Sequence, residues 1–452
     1  MDSNDTPHGL DRRALFGLAA GAAAIAGEGL AAPAAGTPAS PRYVERGPGT
    51  PVVTPVIETT NGRVQGLISN AILAFKGIRY GAAPVGELRW APPQRPDRWD
   101  TIEDCSSYGA PAIQEAGGIT AAPTTDFGMQ MGQVFSTPSE LKIQNEDCLF
   151  LNVWTPGVDA RKRPVMVWIH GGGFAYGSGG QPIYSCEGLA RFGDVVSVSL
   201  NHRLNVFGYL HLGDAFGPAY ASSGTVGMQD LVLALEWVRD NIARFGGDPG
   251  NVTIMGQSGG GAKVSTLLAM PSAKGLFHKA SIQSGPALMV GTKEQAAAAT
   301  TRLLAELGVS AGDLKALQAI PPQKLVAAAA KVRAAGGPII DGVAITHHPF
   351  TPGAPDESLD VPILVGWVKD EPTIFTAGEP WFGTMTEADL AERIKPMGED
   401  GQKLLAALRK AYPTYTPTYL WSQFGAMRAM VGSQLLAERK QVNLSHRVRD
   451  QR

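Results

Sequence analysis

Residues 251–261 read Asn-Val-Thr-Ile-Met-Gly-Gln-Ser-Gly-Gly-Gly (NVTIMGQSGGG), and the rest of the chain is organised around them. The run 252–255 predicts a short strand that ends on Gly256-Gln257-Ser258-Gly259-Gly260. A helix-like run, 262–270, follows at once. A G-x-S-x-G pattern between strand and helix is a nucleophile elbow. Its turn is so sharp that the serine takes a strained backbone conformation, and small residues on either side let strand and helix approach. The serine oxygen is thereby lifted clear at the carboxyl end of a sheet, above a helix amino terminus. In a chain with 55 glycines the five-residue pattern also fits a plain packing turn, so the surrounding sequence must decide.

At 452 residues the chain allows one large α/β domain or two smaller ones. Hydrophobic content of 44% with 18% charged residues describes a globular protein with a large core. A formal charge of −2 gives no reason to expect nucleic acid or acidic lipid as a partner. Three cysteines, Cys105, Cys148 and Cys186, are too few for a disulfide framework.

The amino terminus reads as an address. Asp11-Arg12-Arg13-Ala14-Leu15-Phe16 resembles a twin-arginine export signal, residues 14–26 supply an apolar run, and 30–35 (LAAPAA) offer a cleavage site. That run is shorter than the roughly 20 residues a membrane-spanning helix needs. The expectation is a bacterial protein exported to the periplasm or beyond, with a signal over 1–36 and a Pro/Gly-rich linker over 37–55. No other stretch is a candidate membrane span.

Short strand signals follow at 56–59, 63–67 and 72–78. Residues 111–145 have little periodicity and are expected to form part of a gorge wall. The runs 164–169 (PVMVWI) and 195–200 (VVSVSL) have the length and branching of buried strands. Val226, Met228, Leu231, Val232, Leu235, Val238 and Ile242 recur at helical spacing, and Gly246-Gly247 closes that helix. After the elbow come strand signals at 280–283 and 363–365. Strands alternating with helices predict a mostly parallel sheet covered on both faces. Three helical stretches, 293–307, 311–320 and 322–335, interrupt the alternation and are expected to form an insertion beside the site.

An acyl-transfer elbow needs an oxyanion hole. His170-Gly171-Gly172-Gly173-Phe174 follows directly on the strand 164–169. Consecutive glycines let the backbone N–H groups of Gly172 and Gly173 turn toward one point, and the N–H of Gly259 is the third donor.

With these residues in view, the chain resembles the type-B carboxylesterases, the family of cholinesterases and bacterial para-nitrobenzyl esterases. Gly77-Ile78-Arg79-Tyr80 through Pro84-Val85-Gly86-Glu87-Leu88-Arg89-Trp90 is similar to the family's amino-terminal segment. Glu146-Asp147-Cys148-Leu149-Phe150-Leu151-Asn152-Val153 is similar to its EDCLYLNV signature. Asn201-His202-Arg203-Leu204, Phe245-Gly246-Gly247-Asp248-Pro249 and Gln283-Ser284-Gly285 also fall in family order. The resemblance covers 56–442. It implies an α/β-hydrolase fold, a small-molecule ester substrate, an acyl-enzyme on Ser258, and neither a cofactor nor a metal. It also implies the triad acid: residues 361–371 resemble the family's strand-plus-acid segment, and the matching carboxylate is Glu371, with Asp370 the rival by proximity.

Four departures accompany the resemblance. Pro372 stands where the family usually has glycine. Gln257 stands where cholinesterases carry glutamate beside the nucleophile, which removes a negative charge from the site. The family disulfide would join Cys148 to position 112, which is alanine here; Cys105 is an alternative partner, and free thiols are the other alternative. Finally, Ala437-Glu438-Arg439-Lys440 matches a late family helix, but 443–452 matches nothing, and the chain ends before the family's histidine segment. Only His446 follows Glu371 in the sequence. The expectation is therefore a carboxylesterase domain, 56–442, whose C-terminal strand and helix are missing, followed by an unmatched tail. Its function is ester hydrolysis through Ser258, in doubt for want of that histidine. The alternatives are a non-catalytic binding protein of the same fold, or a carbamate or amide hydrolase on the same site. Neither the acyl and alcohol groups of the substrate nor the oligomeric state is written in any pattern.

Overall fold

The computed structural model describes residues 52–115, 143–334 and 336–450, with side chains through 441. The export signal expected over 1–36, most of the linker and most of the loop 111–145 lie outside the described residues. Among these residues are twelve strands: β1 (Val52–Val53), β2 (Ile57–Glu58), β3 (Arg63–Gln65), β4 (Leu67–Ser69), β5 (Ile72–Arg79), β6 (Ile102–Asp104), β7 (Phe150–Thr155), β8 (Arg163–Ile169), β9 (Val196–Leu200), β10 (Gly247–Gln257), β11 (Lys279–Gln283) and β12 (Ile363–Gly366). Nine of them form one sheet in the order β1-β4-β5-β7-β9-β8-β10-β11-β12, and β2-β3-β6 form a small second sheet. The half that carries the elbow, from β9 to β12, is parallel throughout. The strands β1, β4, β5 and β7 extend it antiparallel on the other side.

Three differences from the sequence expectation have physical causes. The run 63–67 is two strands in two sheets, broken at Gly66, where a Cβ would stand 2.0 Å from the Ala74 carbonyl oxygen. The strand β7 carries no strand signal in the sequence. Its residues are all buried, so it lacks the alternation that marks a half-exposed strand. The elbow helix begins at Gly259 rather than 262, because three glycines in its first turn mask a helix that packing enforces.

The principal helices are α1 (Glu187–Gly193), α2 (Val226–Asn241), α3 (Gly259–Leu267), α4 (Lys293–Leu307), α5 (Leu314–Gln318), α6 (Pro322–Val332), α7 (Glu387–Ile394), α8 (Gly398–Ala411) and α9 (Pro417–Asp450). They cover both faces. On one, Ala190 of α1 packs with Ala74 and Trp154. On the other, α2 and α3 bury Leu231, Leu235, Val238, Val264 and Leu267 against Phe75, Val153, Val167 and Ile254. Each such aliphatic side chain removed from water contributes about 1.5–3 kcal/mol, which is what holds the helices to the sheet. The insertion is as expected, with α5 shorter than 311–320 because Asp313 caps it, accepting from the Ala316 N–H. Helices α4 and α6 close a second core with Trp90, Val206 and Phe207. Residues 443–450, unmatched in sequence, continue the backbone of α9.

Among the described residues β12 is the last strand of the sheet and pairs only with β11. Leu364 on it is 71% exposed. Cys148 and Cys186 are buried free thiols, so Cys105 and Cys148 form no bridge. Burial pushes the Cys148 thiol well up, and the Cys186 thiol to about 12.

Candidate active site

The strand β10 carries its ladder one residue past its end: the Ser258 N–H donates to the Gln283 carbonyl oxygen at 2.8 Å, and α3 starts on the next residue. Reversing direction in so little chain forces Ser258 to φ 56°, ψ −121°, a conformation that side-chain-bearing residues rarely adopt. Small neighbours make room. A Cβ on Gly256 would meet the Gly260 backbone at 2.5 Å, and one on Gly260 would stand 2.1 Å from the Ile169 carbonyl oxygen. The elbow is therefore formed as its sequence predicts, with the serine at the amino end of α3.

The loop after β8 lies against that turn. Gly172 and Gly173 take positive φ, 85° and 61°, and the backbone of Gly173 lies so close to Gly259 that a Cβ there would stand 2.4 Å from the Gly173 nitrogen. A Cβ on Gly171 would come within 3.7 Å of the Ser258 Cβ. Gly172, Gly173 and Gly259 are thus gathered beside Ser258, where backbone N–H groups can serve a developing negative charge.

A cavity of about 950 Å³ opens over this cluster, and Gly172, Gly173, Ser258, Gly259 and Glu371 all line it. Glu371 stands in the turn after β12, where the Val368 N–H donates to its Oε1 at 2.8 Å. Its rival Asp370 is engaged elsewhere, accepting from Gln423 Nε2 at 2.9 Å, and does not line the cavity. Phe174, Leu288, Val290 and Phe375 give the wall an apolar character, and Gly425, Arg428, Ala429 and Gly432 of α9 close one side. The contribution of α9 was not legible in the sequence, since which face of a long helix meets a pocket depends on tertiary packing.

No histidine lines this cavity among the described residues. His170 and His202 are buried behind it as a stacked pair, ring centroids 4.9 Å apart. His211 neighbours Asp214, His278 accepts from the Val252 N–H, His347 faces Glu357 and His348 accepts from the Val290 N–H. The side chain of His446 lies outside the described residues. One charged residue the sequence did not single out is nearby: Lys263 of α3, wholly buried, with its ammonium pushed down to about 7 by burial. Its position five residues after the serine was visible, but it reads there as an ordinary helix residue.

No group of three or more potential metal ligands occurs among the described residues, and none of their helices is long and apolar enough to cross a membrane.

The carboxylesterase family profile matches residues 53–404. The para-nitrobenzyl esterase of Bacillus subtilis (strain 168) is 38% identical over 329 residues, covering 71% of this chain and 63% of that protein. Phenmedipham hydrolase of Pseudarthrobacter oxydans is 36% identical over 346 residues, 73% of this chain and 64% of that protein. The chain thus spans just under two thirds of the length of these curated relatives. Among solved structures, a carboxylesterase of Geobacillus stearothermophilus superposes with a TM-score of 0.73 at 38% identity, over 84% of this chain and 76% of the other. Strand order, elbow, glycine loop and sequence similarity together carry one conclusion: this chain belongs to the carboxylesterase family.

Proposed function

We propose that the cavity is the site of a serine carboxylic-ester hydrolase, with Ser258 as nucleophile. The observation that carries this is that a strained serine, three glycine backbones and the carboxylate of Glu371 line one cavity. The Ser258 oxygen attacks the ester carbonyl carbon and loses its proton to a base. The N–H groups of Gly172, Gly173 and Gly259 hold the oxyanion, the alcohol leaves with a proton, and water then releases the acid from Ser258. Glu371 is the group that would orient an imidazolium and stabilise its charge. The apolar wall suits an uncharged ester, and a relative named para-nitrobenzyl esterase supports a para-nitrobenzyl ester as the first substrate to try.

A second reading has its own observation: no imidazole lines the cavity among the described residues. On that reading the chain is a non-catalytic binding protein of the same fold. Labelling with a fluorophosphonate separates the two. An activated Ser258 reacts rapidly and Ser258→Ala does not react, whereas an unactivated serine labels at the rate of a free hydroxyl. Export through the twin-arginine route, proposed from Arg12-Arg13 and the following apolar run, is tested by whether an Arg12→Lys/Arg13→Lys variant stays in the cytoplasm.

A further inference from the structure

Lys263 is a buried cation that the proposed mechanism does not use. Its Nζ has one hydrogen-bond acceptor among the described residues, the His170 carbonyl oxygen at 3.0 Å. It also lies 5.7 Å from the centre of the Phe174 ring, within reach of a cation–π contact. His170 and Phe174 are the residues that bracket Gly171-Gly172-Gly173. Lys263 therefore grips the glycine loop at both ends, from the same helix whose first residue, Gly259, supplies the third N–H.

The loop has a further brace. His170 Nδ1 lies 2.9 Å from the Gly171 carbonyl oxygen. A carbonyl only accepts, so Nδ1 carries the proton, and the Gly171 oxygen is fixed in direction. The Gly172 N–H belongs to the same planar peptide and points the opposite way. Two successive peptide planes are thus set by side-chain donors: the first by Lys263, the second by His170. Such bracing is worth its cost. Burying an ammonium is expensive, and among the described residues Lys263 faces no carboxylate; the titratable groups around it there are His170 and His202, both held neutral by burial, and beyond them the Arg203–Asp230 pair.

We infer that Lys263 is a positioning residue for the oxyanion hole, holding the Gly171–Gly173 backbone in its donor geometry through His170 and Phe174. The inference rests on the reading of Gly172 and Gly173 as oxyanion donors. A residue kept only for packing would be better served by methionine, which fills nearly the same volume without desolvating a charge.

The test compares the full chain with Lys263→Met, using hydrogen–deuterium exchange, thermal unfolding and para-nitrophenyl butyrate kinetics. In Lys263→Met the unfolding temperature should hold or rise, because a buried charge is removed. Exchange of the Ala175 and Tyr176 amides, which donate to the Gly172 carbonyl oxygen, should quicken about tenfold with the rest of the sheet unchanged. Turnover should fall about 10- to 100-fold in kcat, with KM within a factor of about two, as expected when a transition-state contact is misplaced. Lys263→Gln, shorter but still a donor, should fall between the two and covers the case in which Lys263→Met does not fold. Unchanged exchange at Ala175 and Tyr176 in a folded variant would overturn the inference, whatever the turnover. A lowered unfolding temperature with exchange raised across the whole sheet would also overturn it, in favour of plain packing. If exchange quickens at the loop while even the unmodified chain shows no turnover, Lys263 still positions the loop, and it is the hydrolase proposal that fails.

Discussion

Gly285 lies directly against Ser258: a Cβ built on Gly285 would stand 1.9 Å from the Ser258 carbonyl oxygen. The neighbouring Gln283 carbonyl holds the Ser258 N–H, so the turn after β11 is the floor on which the elbow rests. Gly285→Ala must push that floor and the strained serine apart. Expected are a stability loss of about 1–3 kcal/mol, as for other overpacked sites, and a fall of about 100-fold in fluorophosphonate labelling of Ser258. Urea unfolding and labelling rates check both, and unaltered labelling would mean that the elbow does not depend on this contact.

Arg203 and Asp230 form a fully enclosed ion pair beneath the carboxyl end of β9, with Arg203 Nη2 2.7 Å from Asp230 Oδ1. Asp230 Oδ2 also accepts from the Arg203 backbone N–H at 2.9 Å. Asp230→Asn keeps the shape but leaves the guanidinium buried without its counter-charge. The expected cost is about 3–5 kcal/mol, read by urea unfolding. A loss below about 1 kcal/mol would show that water reaches the pair in solution.

The stacked histidines predict an acid sensitivity with a definite sign. Burial holds His170 down to about 3, with Lys263 adding to the effect, and burial likewise holds His202 well below its ordinary value. In the unfolded chain both titrate near 6.5. Between about 6.5 and 3 the unfolded state therefore binds more protons, and stability falls as pH falls, by at most about 1.4 kcal/mol per pH unit for each group. Above the unfolded value the contribution is complete. Urea midpoints at pH 7.0 and 5.0 check this, and equal midpoints would contradict it.

Among the described residues β12 pairs on one side only, and Leu364 on it stands in solvent. An open strand edge with such a residue is a template for association. Leu364→Lys should lower concentration-dependent light scattering without shifting the unfolding temperature. Scattering that does not respond would place any association elsewhere.

The fold was legible where residues perform a local task. The elbow glycines, the glycine run after β8 and the helical spacing of α2 each name their own geometry, and the order of the motifs carried the resemblance that implied the fold. What stayed hidden depends on distant partners. The strand β7 is buried on both faces and carries no alternation. The wall contributed by α9 depends on Gly425 and Gly432 seating against Pro372 and Pro286, contacts that no local pattern encodes. Lys263 looks like any helix lysine until its neighbours are in place. Glu371 came from resemblance alone; it lines the cavity, while Asp370 accepts from Gln423.

The most direct measurement is hydrolysis of para-nitrophenyl butyrate by the purified chain beside Ser258→Ala, with both shown to be folded. The expected result is turnover by the unmodified chain that disappears with the Ser258 hydroxyl. Equal rates in the two proteins would contradict a serine hydrolase at this elbow and leave the fold with a binding role.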